Sequence, residues 1–199
     1  ALWTANGIKL NTTAGEHSSV QLVDDGSGGA IVTWYHNTRI YARRITSTGS
    51  SPWTPVAIAV CVKAGVQREP DIVRDGEGGA IICWSDSTNT TTVHDIYAQR
   101  VTATGTLLWP ASGLPICAAS DYQFQPKIFD DGAGGAIIVW QEARTRPETT
   151  LYMQRVNGAG IAQWATNGIP ICAAPGSKTK PAYARFGDRV ILAWGDLRD

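Results

Sequence analysis

Acidic side chains follow three tryptophans of this chain at one fixed offset. They are Asp86 after Trp84, Glu142 (with Arg144) after Trp140, and Asp196 (with Arg198) after Trp194. Two carboxylates are what glycoside hydrolysis requires: one protonates the leaving oxygen, the other attacks or activates water. These residues are therefore candidates for a hydrolytic centre. They also recur at equivalent positions in different copies of a repeat, as a structural ion pair would. The strand arginines Arg44, Arg100 and Arg155 recur likewise and are natural partners. Structural pairing is the preferred reading, and no residue is assigned a catalytic role.

Other chemistry is thinner. Three Asp-Gly-x-Gly-Gly turns start at Asp25, Asp75 and Asp131 and carry Gly26 and Gly29, Gly76 and Gly79, and Gly132 and Gly135. Each offers one or two carboxylates, whereas calcium takes six to eight oxygens. They read as structural hairpin turns, and no metal or other cofactor is expected. His17, His36 and His94 share no ligand spacing. There is no nucleophile elbow, phosphate loop or dinucleotide fingerprint. Cys61, Cys117 and Cys172 occupy equivalent positions in successive copies, too far apart to bridge one another. Only Cys83 could pair with one of them, and buried free thiols are the simpler expectation. Tyr122 and Phe124 stand in a loop that does not repeat, which makes them the candidate binding residues for a glycan or a protein.

The elements that must position these residues are repeated. A glycine-rich turn and an apolar run lead to Trp34, Trp84, Trp140 and, in a worn fourth copy, Trp194, at intervals of 50, 56 and 54 residues. Runs such as Ala136 to Trp140 are apolar at every position, which marks strands covered on both faces. Pro126 to Asp130 reads as a short strand with proline at its first residue. Tyr41, Tyr97 and Tyr152 mark a further strand, and Trp3, Trp53, Trp109 and Trp164 open the units. No segment has helical periodicity. A period of roughly 40–50 residues with several short strands per unit is the signature of propeller blades. The expected fold is all-β: a propeller-like array of about four four-stranded antiparallel blades in a single repeat domain. The repeats run approximately 1–52, 53–108, 109–163 and 164–199, the last incomplete.

With 17 basic and 17 acidic residues the chain has no electrostatic case for nucleic acid, and no apolar stretch is long enough for membrane insertion by a helix. The opening Ala-Leu-Trp-Thr, without methionine, reads as a processed or excised segment. Copy four stops before its equivalent of Ile40-Tyr41, Ile96-Tyr97 and Leu151-Tyr152. An incomplete unit exposes a strand edge, so the expected partners are other copies or a surface protein adding a strand there.

The Asp-Gly-x-Gly-Gly-Ala-Ile-Val-x-Trp core, the Ile96-Tyr97-Ala98-Gln99-Arg100-Val101 strand, Leu108-Trp109 and Asn167-Gly168-Ile169-Pro170 together resemble the secreted bacterial β-propeller-like repeat proteins. The resemblance covers nearly the whole chain and implies an extracellular or cell-surface location. It transfers no catalytic residue. The expectation is a non-enzymatic module for adhesion or for assembly into a surface structure or filament. A glycan-binding, lectin-like propeller and a carbohydrate-active hydrolase are the alternatives.

Overall fold

A computed structural model describes residues 6–11, 14–87, 94–144, 148–186 and 189–198. Every regular element among them is a strand, and all strand pairs are antiparallel. The first sheet contains β1 (His17–Asp24), β2 (Ala30–His36), β3 (Arg39–Ile45) and β4 (Ile58–Ala59) in that order. The second contains β5 (Val66–Arg74), β6 (Ala80–Ser87), β7 (Asp95–Val101) and β8 (Leu114–Cys117). The third contains β9 (Gln123–Asp130), β10 (Ala136–Glu142), β11 (Thr150–Val156) and β12 (Ile169–Pro170). The fourth shows two strands among the described residues, β13 (Lys178–Phe186) and β14 (Arg189–Asp196). The last strand of each four-stranded sheet comes from sequence that follows the tryptophan opening the next unit, Trp53, Trp109 or Trp164. Leu114–Cys117, for example, completes the sheet before it.

Alternation explains why the central runs are apolar throughout. In an extended chain, successive side chains point to opposite faces. Ile82 and Trp84 pack with Ile31, Ile40 and Ala42 of the first sheet. Ile81 and Cys83, between them in sequence, pack with Ile128, Ile138 and Trp140 of the third. A sheet held between two neighbours thus needs no polar face. Burying one indole in such an interface contributes about 2–3 kcal/mol.

The turns joining first and second strands are closed by their own aspartates. Asp75 Oδ1 accepts the backbone N–H of Glu77 and of Gly79, each at 2.8 Å. A Cβ at Gly79 would lie 2.2 Å from the carbonyl oxygen of Val101, so only glycine lets β7 approach the turn this closely. Gly29 and Gly135 are in the same position against Ile45 and Val156. Gly26, Gly76 and Gly132 have φ of 71°, 80° and 74°, the left-handed region the turn requires.

The second oxygen of each aspartate holds an arginine, and two of these arginines, Arg44 and Arg100, reach on into the next sheet. Arg44 Nε donates to Asp25 at 2.9 Å while its Nη1 donates to the carbonyl of Ala103 at 3.0 Å. Trp53 Nε1 donates to the same carbonyl at 2.9 Å. One repeat later, Arg100 holds Asp75 at 3.0 Å, and Arg100 Nη1 and Trp109 Nε1 converge on the carbonyl of Gly158 at 3.0 and 3.3 Å. The expected pairing of the strand arginines with the acids after the tryptophans is thereby corrected. The sequence offset did not show that the turn aspartates sit directly beside the arginine strand.

One further expectation changes. Pro126 lies inside β9, which begins three residues earlier at Gln123. All four cysteines are free thiols, and burial pushes Cys83 well up and Cys117 to about 11. The segment containing Leu2 and Trp3 lies outside the described residues.

Candidate functional site

The first strand of each sheet carries the same irregularity. The register slips between Ser18 and Gln21, between Arg68 and Asp71, opposite Val139 and Gln141, and between Thr179 and Ala182. At each slip one non-glycine residue adopts a left-handed backbone: Ser19 (φ 52°), Glu69 (53°), Gln125 (51°) and Lys180 (48°). Proline follows three of them, as Pro70, Pro126 and Pro181. Proline fits there because a bulge interrupts the hydrogen-bonded ladder. A left-handed non-glycine residue costs about 1–3 kcal/mol, and such strain concentrates at functional sites.

All four bulge residues line one open cavity of about 480 Å³. Around it lies a chain of polar contacts. Glu69 Oε2 accepts the backbone N–H of Gln125 at 2.7 Å. The Gln125 side chain accepts from Gln141 Nε2. Two residues beyond Glu69, Asp71 Oδ2 accepts the N–H of Ile128 at 3.1 Å and faces Lys127 Nζ at 3.6 Å. Burial raises the Asp71 carboxyl above the ordinary carboxylate value, against the opposing pull of Lys127. Tyr183 lies on the opposite wall, its ring 5.8 Å from that of Phe129 and its buried hydroxyl without a hydrogen-bond partner. Burial and the charge of Asp71 push that hydroxyl up to about 12, so it remains a proton-bearing donor.

Tyr122 and Phe124, the binding residues expected from the sequence, are not among the residues that line this cavity. They are half-buried, with rings 5.1 Å apart, and Tyr122 also lies 4.3 Å from His94. Burial depresses the His94 pKa, while the charge of Glu69 acts on it in the opposite sense. Phe124 directly precedes the bulge residue Gln125, so the aromatic cluster adjoins the β9 wall of the cavity.

The acids after the tryptophans are elsewhere and are enclosed. Asp86 is 1% exposed, accepts Trp84 Nε1 at 3.2 Å and pairs with Lys63 at 3.4 Å. Glu142 is fully buried, accepts Trp140 Nε1 at 3.0 Å and pairs with Arg144 at 2.5 Å. Asp196 pairs with Lys178 and Arg198. Asp86 and Glu142 fasten their indoles in place, and all three carboxylates are committed to ion pairs. Trp34, Trp84 and Trp140 are buried and stack on Tyr41, Tyr97 and Tyr152 at 6.1–6.2 Å. Trp53 and Trp109 are buried, and Trp164 and Trp194 are half-buried. Among the described residues no group of three or more His, Cys, Asp or Glu is placed to hold a metal.

Sequence reasoning missed Ser19, Glu69, Asp71, Gln125, Lys180 and Tyr183. The available signal was the proline recurring at one offset before three of the turns, each time behind a different residue: Glu69-Pro70, Gln125-Pro126 and Lys180-Pro181.

No family model and no curated protein matches the chain. Solved structures do. An endo-arabinase from Bacteroides thetaiotaomicron aligns with a TM-score of 0.55 at 12% identity, over 88% of this chain and 68% of that one. An endo-1,4-beta-xylanase from the same organism aligns at 0.47 and 13% identity, over 79% of this chain and 62% of that one. A further glycoside hydrolase aligns at 0.48 and 12%, over 83% of this chain and 40% of that one. The likeness to the endo-arabinase shows the fold. It corrects the expectation of a non-enzymatic module for adhesion or filament assembly. A set of sheets read as purely structural is shared with a glycan-cleaving enzyme, so the absence of a nucleophile motif does not argue against catalysis.

Proposed function

We propose that this chain is a carbohydrate-active, hydrolase-type domain whose sheets stand as propeller blades around the cavity, and that the cavity receives a glycan. One observation carries the reading: four strands repeat the same strained bulge, yet present four different side chains to one cavity. A folding requirement would repeat the residue together with the geometry. Here the geometry repeats and the chemistry varies, as a site for an asymmetric ligand requires.

The roles follow from the surroundings of each group. Asp71, raised by burial, is suited to hold a proton for the departing glycosidic oxygen. Glu69, the other carboxylate of β5, supplies the second acid that glycoside hydrolysis needs. Gln125, Gln141 and Ser19 offer neutral donors and acceptors for sugar hydroxyls. Tyr122 and Phe124 provide apolar faces on which a pyranose or furanose ring can lie as it enters. Such a role suits the extracellular location that the repeat resemblance implies.

The test is a reducing-end assay on a panel of plant and bacterial polysaccharides, with wild type, Glu69→Gln and Asp71→Asn. Cleavage by wild type, with a loss of about 10²–10⁴-fold in either variant at unchanged melting temperature, is expected. Full activity in both variants would remove the cavity from the mechanism. Neither binding nor cleavage of any glycan by wild type would end the reading.

A further inference from the structure

The charges around the cavity are unevenly committed. Asp71 and Lys127 face each other at 3.6 Å. The Glu69 carboxylate is anchored on the Gln125 N–H at 2.7 Å. Lys180, the bulge residue of β13, makes no ion pair or side-chain hydrogen bond among the described residues and is exposed. Its ammonium lies on the same cavity wall as Tyr183, three residues along the strand, whose buried hydroxyl is unpartnered. That wall therefore carries one uncommitted cation and one uncommitted neutral donor, while the β5 wall carries the Glu69 carboxylate, with Asp71 two residues behind it. The fourth sheet departs from the others here: where β1 has Ser19 and β9 has Gln125, β13 has a positive charge held in place by a strained backbone (φ 48°).

A neutral sugar presents hydroxyls, for which glutamine and serine suffice. An ammonium and a phenolic donor from one strand of the same cavity lining are matched instead by a carboxylate, which accepts from both and neutralises the charge. We propose that the glycan taken by this cavity carries carboxylate groups, a uronic-acid-containing chain. Lys180 is the counter-ion of one such group and Tyr183 its hydrogen-bond donor. This rests on the cavity being the glycan site and specifies the class of glycan it selects.

Methyl esterification separates the charge from the sugar, so it gives the sharpest probe. Oligogalacturonate, alginate oligomers and glucurono-xylo-oligosaccharides would be titrated into the full chain by calorimetry. Each would be paired with its methyl ester, with neutral arabino- and xylo-oligosaccharides alongside. At least one acid should bind about 10–100-fold more tightly than its ester, with affinity falling as salt rises. Lys180→Gln should abolish that preference, lowering affinity for the acid far more than affinity for the ester. Tyr183→Phe should reduce it several-fold. If acids and esters bind alike, or if Lys180→Gln keeps the preference, the inference is overturned while the glycan site stands. If neither acidic nor neutral glycans bind, the functional reading beneath it falls as well. Circular dichroism and the melting temperature of both variants exclude misfolding as the cause of a loss.

Discussion

The first strand of each sheet ends in two different ways, and the contrast separates scaffold from site. At its C-terminal end stands the Asp-Gly turn, with the same aspartate, glycines and arginine partner in three sheets. Toward its N-terminal end stands the bulge, the same in geometry in four sheets but Ser, Glu, Gln and Lys in identity. The turn repeats its residues because every copy meets the same requirement, two N–H groups and a guanidinium on one carboxylate. The bulges share a conformation and diverge in chemistry, which is the pattern the proposed glycan site requires.

The largest expected effect lies at the turn end. Asp75 is 2% exposed, and its partner Arg100 is itself buried and tied to the third sheet. Asp75→Ala strands that guanidinium and opens the turn. Breaking a buried pair costs about 3–5 kcal/mol; the lower end applies, because Glu77 still reaches Arg100 at 2.8 Å. Asp131→Ala should cost about 1–2 kcal/mol, since Arg155 is 40% exposed and can turn to water. Urea unfolding of both variants measures the difference. Equal losses would show that the arginine's reach into the next sheet stabilises nothing.

A smaller effect is expected in acid. Burial raises the Asp25 and Asp131 carboxyls, but the turn N–H groups and the arginines outweigh it, and both lie below the ordinary value of 3.8. A carboxylate with a depressed folded pKa stabilises the protein above its unfolded value and loses that contribution as pH falls through the folded one. Stability should therefore drop below about pH 4. The drop should be shallower in Asp131→Asn, which has no proton to take up there. An identical acid limb in the variant would contradict the sign of the shift.

How far each end was legible in the sequence follows from the same contrast. The turns were legible because repeated function is written as repeated residues: Trp34, Trp84 and Trp140, with their Asp-Gly turns, announce themselves by spacing. Their partners were not. Whether Arg100 meets Asp75 or Asp86 depends on how close β7 passes to the turn, which spacing does not report. The bulges were hidden for a different reason. A left-handed φ at Ser19, Glu69, Gln125 or Lys180 has no side-chain signature, and Pro126 looked like a strand start. Tyr122 and Phe124 stood out only as aromatics in a variable loop, and the cavity beside them became visible with the fold. The enclosed acids Asp86 and Glu142 looked more like chemistry than the cavity-lining Glu69 did, because sequence shows offset and conceals exposure.

The smallest effect tests the strain itself, at Gln125. Glycine normally destabilises a regular strand or helix relative to alanine, because it loses more conformational freedom on folding. At φ 51° the order should invert. Both Gln125→Gly and Gln125→Ala remove the side-chain hydrogen bond to Gln141 and leave the backbone N–H free to donate to Glu69. Subtracting one variant from the other therefore cancels the lost side chain and leaves the backbone term. A left-handed conformation costs an alanine about 1–2 kcal/mol and costs glycine almost nothing. After the entropy of the more flexible unfolded glycine chain is offset, Gln125→Gly should be the more stable of the two by about 0.5–1 kcal/mol. Glycan affinity should fall equally in both, because the ligand loses the same amide. That combination, a gain in stability without recovery of binding, is what a site maintained against the preference of its backbone would show. Should Gln125→Ala prove as stable as Gln125→Gly, the bulge is unstrained. The repeated geometry would then be an ordinary accommodation of the following proline, and the contrast between the two ends of the strand would lose its energetic half.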